Sequence, residues 1–149
     1  MSEGTPIVIL LAEDDEEDAQ MTLDALKKNR LGNDLRLARD GEEVMDYLRR
    51  EGRYGNGADA PIPGLILLDL NMPKKDGREV LAEIKSDARL RKIPVIVLTT
   101  SKAEEDIVRS YDLGVNSFIT KPVTFAGLAD AMRVVSQYWF EIVELPARP

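Results

Sequence analysis

Apolar residues gather in five short runs along the chain: Ile7–Ala12, Leu35–Ala38, Leu65–Leu68, Ile93–Leu98 and Ser117–Thr120. Three of these runs are almost continuously apolar, the pattern of strands buried on both faces. Between the runs the apolar spacing turns helical. Ala19, Leu23 and Leu26 share one face of the first segment, and Val44, Tyr47 and Leu48 mark the second. Val80, Leu81 and Ile84 mark the third, and Ile107, Val108 and Tyr111 the fourth. Phe125, Leu128, Met132, Val135 and Trp139 form a long stripe in the fifth. The plainest reading of each stripe is a face turned to the core.

Strand and helix thus alternate five times, which predicts a doubly wound parallel sheet with helices on both faces. Such a sheet carries its functional groups at the C-terminal ends of its strands. The chain reads as a single domain, residues 1–149, with a core over about 6–140 and a short tail over 141–149 that leaves no room for a separate output domain. Gly52 to Gly64 forms a long loop rich in Gly, Pro and Asn, suited to a partner contact or to a mobile segment.

Composition narrows the chemistry. A net charge of −7 argues against nucleic acid or an anionic membrane surface as the main partner. No run approaches the roughly 20 apolar residues of a membrane span, and no basic region precedes Ile7 to suggest a signal peptide, so a cytoplasmic protein is expected. Neither cysteine nor histidine occurs. Disulfides, thiolate catalysis, His-ligated zinc and Ser-His-Asp triads are therefore excluded. Carboxylates, hydroxyls, lysines and bound ions remain.

The strand ends supply such groups. After the first run comes the acidic stretch Glu13 to Asp18. A helix dipole accounts for Glu16 to Asp18 as an acidic first turn, but not for Glu13 and Asp14, which directly end a buried strand. Asp69 follows the apolar run Leu65–Leu68; a capping role is the bland alternative. If the first and third strands are neighbours about 4.8 Å apart, their terminal carboxylates converge. Two such charges about 5 Å apart repel by roughly 3 kcal/mol at an effective dielectric near 20. A hard divalent ion, Mg²⁺ or Mn²⁺, resolves that repulsion. Thr99, Thr100 and Ser101 end the fourth run, where they could cap a helix or bind a phosphoryl oxygen; Lys121 and Pro122 follow the fifth. The set suits attack by Asp69 on phosphorus, with metal and Lys121 neutralising charge.

These pieces resemble the receiver domains of bacterial response regulators, over about Pro6 to Phe140. The matching segments are Ile9-Leu-Leu-Ala-Glu13-Asp14-Asp15, Leu65-Ile-Leu-Leu-Asp69-Leu-Asn71-Met-Pro73-Lys-Lys-Asp76-Gly77, Pro94-Val-Ile-Val-Leu-Thr99-Thr100 and Phe118-Ile-Thr-Lys121-Pro122. The resemblance implies a flavodoxin-like sheet of order 2-1-3-4-5. It implies Asp69 as phosphoacceptor and Asp14, Asp69 and the Asn71 carbonyl as metal ligands. Glu13 takes the place of the family's first acid, which often acts through a water; Glu there in place of Asp is a common departure. Thr99 and Lys121 resemble the phosphoryl-binding pair, Phe118 stands at the aromatic switch position, and the peptide before Pro122 is expected to be cis. Gly77 is expected to permit a tight turn after the Asp69 loop.

A narrower resemblance lies in Lys74–Lys85, Ser110–Asn116 and the tail with Tyr138-Trp-Phe140 and Leu145-Pro146. These are similar to the small regulators that pair with bacterial phytochrome kinases, which implies a bacteriophytochrome histidine kinase as donor. That subgroup can form homodimers through the fourth and fifth helices and the fifth strand. Two rival classes fail. Haloacid-dehalogenase phosphatases carry a second Asp two residues after the nucleophile, where Asn71 stands. The stretch Gly55–Ala60 matches a dinucleotide fingerprint on paper, but it follows no strand and runs into Pro61 and Pro63.

Overall fold

The computed structural model describes residues 8–28, 34–55, 59–70, 72, 74–99, 117–120 and 125–138, with residues 99, 117–120, 125 and 135–138 described by their backbone. Five strands form one sheet: β1 (Val8–Ala12), β2 (Asp34–Ala38), β3 (Leu65–Asp69), β4 (Val95–Thr99) and β5 (Ser117–Thr120). All pairings are parallel and the order is β2-β1-β3-β4-β5, as expected. Helices α1 (Glu16–Lys28), α2 (Gly41–Arg49) and α3 (Gly77–Ser86) and a C-terminal helix (Phe125–Tyr138) accompany it. The expected helical segment around Ile107, Val108 and Tyr111 lies outside the described residues, as does Trp139.

The continuous apolar runs have a simple cause. Successive side chains of a strand point to opposite faces, so a strand covered on both faces needs apolar residues at every position. Leu10, Ala12, Ile66, Leu68, Val95 and Val97 join α2 and α3 in one core. Ile9, Leu11, Leu65, Leu67, Ile96 and Leu98 join α1 and the C-terminal helix in the other. Full burial of each Leu or Ile contributes roughly 1.5–3 kcal/mol, and the strand residues named here are 0–1% exposed.

Some expectations shift by two residues or along a face. The fourth run begins at Ile93, but β4 begins at Val95. Ile93 closes a 3₁₀ turn over Leu90–Lys92 by donating to the Leu90 carbonyl (3.0 Å), and Pro94 has no N–H for the ladder. On α1, Leu23 is only half-buried, whereas Thr22 and Ala25 are buried beside Ala19 and Leu26. Thr22 tolerates burial because its hydroxyl donates to the Asp18 carbonyl (2.8 Å).

The described part of the Gly52–Gly64 loop packs down instead of projecting. Gly52–Tyr54 forms a 3₁₀ turn, and Tyr54 meets Tyr47 edge-on with ring centroids 5.1 Å apart. The Tyr47 hydroxyl donates to the Pro61 carbonyl (2.8 Å), and Arg36 of the edge strand β2 donates to the Asp59 carbonyl (3.0 Å). The loop thereby covers α2 and ties itself to the sheet edge. Among the described residues no helix is long and apolar enough to cross a membrane.

Candidate functional site

The C-terminal ends of β1 and β3 lie side by side. Ala12 is in register with Leu68, so Glu13 comes level with Asp69, the last residue of β3. The Glu13 amide donates to the Ala38 carbonyl (3.0 Å), which holds that residue on the sheet edge. Glu13 and Asp69 are 1% and 2% exposed, whereas Asp14 faces solvent. Carboxylate oxygens of Glu13, Asp14 and Asp69 all lie within 4.8 Å of one another.

The acidic stretch after β1 divides into three tasks. Glu13 and Asp14 enter the cluster. Asp15 caps α1, its carboxylate accepting from the Asp18 amide (2.8 Å). Glu16, Glu17 and Asp18 form the acidic first turn that suits the positive end of the helix dipole. A solvent-open cavity of about 440 Å³ lies between α1 and the end of β2, lined among others by Glu13, Asp14, Leu37 and Arg39; Asp69 does not line it.

The residues after β3 are held differently. The Leu70 amide donates to Leu98 (3.3 Å), and the Gly77 amide donates back to the Leu70 carbonyl (2.9 Å), closing residues 70–76 onto their own start. Gly77 is the first residue of α3 and is not among the residues of positive φ, so a tight turn is not the reason for its glycine. Space is the reason: a Cβ at position 77 would lie 2.5 Å from the Asp69 carbonyl oxygen and 2.6 Å from the Leu70 Cα. Asp76 caps α3 by accepting from the Arg78 and Glu79 amides, and Glu79 accepts from the Asp76 amide (3.1 Å), a reciprocal capping box. Lys74 adopts φ 68°, a left-handed conformation that costs a non-glycine residue about 1 kcal/mol.

The fit to a hard divalent ion is direct. Three carboxylates this close, two of them buried, repel one another unless a cation or proton sits among them, and oxygen donors in this number suit Mg²⁺ or Mn²⁺. Thr99 ends β4 in register with Thr120, next to Leu98, which lies opposite Asp69. Phe118 lies in β5 opposite Val97. Asn71, Lys121 and Pro122, with the expected cis peptide, lie outside the described residues.

Asp40, Gly41 and Lys74 carry no role in the sequence reading, yet they meet beside the β3–α3 loop. Asp40 caps α2 by accepting from the Glu43 amide (2.8 Å), and the Lys74 Nζ lies 3.6 Å from the other Asp40 carboxylate oxygen. The available signal was the spacing Asp40-x-x-Glu43, the same acid-x-x-acid start that Asp76 and Glu79 give α3.

The family model of the response regulator receiver domain matches residues 9–133. Response regulator Rcp1 of Synechocystis sp. is 46% identical over 142 residues, 95% of either chain. The crystal structure of the phosphorylated cyanobacterial phytochrome response regulator RcpA superposes with a TM-score of 0.81 at 47% identity, covering 92% of this chain and 96% of that one. The Mn²⁺-bound form of Rcp1 superposes with a TM-score of 0.80 at 45% identity, covering 93% and 97%.

Proposed function

This chain belongs to the response regulator receiver family of two-component signalling, and from that premise we propose that it accepts a phosphoryl group on Asp69 from the phosphohistidine of a partner kinase. The observation that carries the assignment is the convergence of Glu13, Asp14 and Asp69 at the C-terminal edge of the sheet. Asp69 is the member of that trio that ends the central strand β3 and is almost fully buried. Glu13, Asp14, Asp69 and the carbonyl of Asn71 are the groups that hold Mg²⁺ or Mn²⁺. When bound, that ion supplies positive charge beside the transferring group.

In the transfer, a carboxylate oxygen of Asp69 forms a bond to phosphorus as the phosphorus–nitrogen bond to the donor imidazole breaks. The bonding pair returns to that nitrogen. Glu13 and Asp14 form no bond to phosphorus; their part would be to hold the ion beside Asp69. Thr99 and Lys121 bind the remaining phosphoryl oxygens, and Lys121 neutralises their charge. Thr99 then shifts toward the phosphoryl group, Phe118 moves into the space released, and the neighbouring protein-interaction face changes; this is a population shift driven by local charge. The Lys121–Pro122 peptide is cis in this reading. The domain assists its own phosphorylation and dephosphorylation and acts on no separate substrate.

The likeness to the phytochrome response regulator RcpA supports a phytochrome-type histidine kinase as donor; a homodimer through the fourth and fifth helices and the fifth strand is part of the same proposal. One domain over residues 1–149, working in the cytoplasm without nucleic acid or membrane, completes the reading.

Intact mass after incubation with acetyl phosphate and Mg²⁺ tests it. A gain of one phosphoryl group that chelator prevents and Asp69→Asn abolishes is the expected result. The same gain in Asp69→Asn would overturn the assignment of the acceptor.

A further inference from the structure

The β3–α3 loop is closely approached at both ends by glycines that come from different helices. Gly77 of α3 meets its beginning, at Asp69 and Leu70. Gly41, the first residue of α2, meets its later part: a Cβ there would lie 1.8 Å from the Lys75 carbonyl oxygen and 2.6 Å from the Lys75 Cβ. No rotamer change relieves an overlap with backbone, so a side chain at position 41 must push α2 and the loop apart.

Three further contacts keep that seat in place. Asp40 uses one carboxylate oxygen to cap α2 and places the other 3.6 Å from the Nζ of Lys74. The Lys75 side chain pairs with Glu83 of α3, and Arg49 at the far end of α2 reaches the same carboxylate (3.0 Å). Lys74 itself sits at φ 68° between these anchors, a conformation that persists in a non-glycine residue only when its surroundings fix it.

We infer that the N-terminus of α2, through Gly41 and Asp40, is a positioning element for the phosphorylation site: it sets where the β3–α3 loop presents its backbone to the bound metal. The inference rests on the reading of Asp69 as acceptor and of Asn71 as a carbonyl ligand. Neither Gly41 nor Asp40 touches the phosphoryl group. They act through the loop, whose displacement by about 1 Å is enough to slow a positioned reaction by up to a hundredfold.

The test compares wild type with Gly41→Ala, Asp40→Asn and Leu48→Ala. The readouts are Mg²⁺ affinity by calorimetry without phosphodonor, the acetyl phosphate rate at saturating Mg²⁺, and thermal unfolding. Gly41→Ala is expected to weaken Mg²⁺ binding about tenfold, the scale of groups that orient metal ligands, and to slow phosphorylation at saturating metal by at least as much. Asp40→Asn keeps a competent cap and loses only the charge on Lys74; an effect of about threefold in Mg²⁺ affinity is expected. Leu48→Ala removes buried atoms at the other end of α2, so it should lower the melting temperature without altering affinity or rate. Wild-type Mg²⁺ affinity and rate in a folded Gly41→Ala protein would overturn the inference. So would an unfolded Gly41→Ala together with an unaltered Asp40→Asn, or losses in Leu48→Ala equal to those in Gly41→Ala. Failure of wild type itself to bind Mg²⁺ or gain a phosphoryl group would instead refute the underlying reading of the site.

Discussion

The β1–α1 and β3–α3 junctions deliver carboxylates to the same cluster by different construction. The first spans residues 13–15. It passes from strand to helix directly, with Asp15 as cap and each acid placed by its position relative to the strand end or the helix start. The second spans residues 70–76. It is held by a hydrogen bond back onto Leu70, by a left-handed Lys74 and by glycines of two helices that leave no room for a side chain. The short junction rests on a helix cap and a single bond from Glu13 to the neighbouring strand at Ala38, whereas the long one is also packed against a second helix at Lys75. A junction of three residues leaves little freedom between strand and helix, whereas one of seven is fixed by contacts along its length.

Substitutions on the two sides should differ accordingly. The largest effect is expected from Gly77→Ala. Its methyl would sit 2.5 Å from the Asp69 carbonyl oxygen, and forcing it in should cost about 3 kcal/mol of stability. Urea unfolding checks this; a loss below 1 kcal/mol would show that α3 slides freely and that the long junction is less constrained than its contacts indicate. Next comes Asp14→Asn on the short junction. It should weaken Mg²⁺ binding about 30-fold, equivalent to about 2 kcal/mol, while leaving the metal-free protein no less stable, because it removes one of three mutually repelling charges. Calorimetry and melting with and without Mg²⁺ separate the two effects. A lower metal-free melting temperature would mean that Asp14 has a structural task.

Asp15→Ala should cost about 1 kcal/mol through the lost cap and leave Mg²⁺ affinity within twofold. A large loss of affinity would show that the α1 start holds the cluster in place, erasing the distinction between the junctions.

The smallest effect concerns the loop over α2. Burial, followed by the hydrogen bond its hydroxyl donates to Glu43 (2.5 Å), pushes the Tyr54 phenol up to about 12, against an ordinary value near 10. A raised folded-state value means that the stabilisation is fully present below pH 10 and is lost as pH rises toward 12. Melting temperatures should therefore fall across that window, and Tyr54→Phe should make the fall shallower. Tyr47, also pushed up mainly by burial, leaves a residual slope. Identical profiles for both proteins would show that Tyr54 does not link the loop to α2.

Much of this protein was legible in its sequence. Continuous apolar runs such as Leu65–Leu68 and Val95–Leu98 declared strands covered on both faces, because alternation leaves no solvent-facing position. Glu13, Asp14 and Asp69 were legible as a cluster because charged groups directly after buried strands must meet at one sheet edge once those strands are neighbours. The start of β4 was misplaced because Ile93 is as apolar as a strand residue, yet it closes a turn ahead of Pro94. The reason for Gly77 was misread as backbone freedom, since a sequence records a missing side chain without recording which atom occupies its space.

That last distinction marks the division of labour. The sequence alone determined the element order, the two-faced sheet and the carboxylate set, because these follow from periodicity and from bonds between residues a few positions apart. Only the tertiary structure decided that α2 and α3 press glycines against the two ends of one loop. Excluded volume acts between atoms that are near in space, and Gly41 and Lys75 become neighbours only when the sheet has brought their helices together.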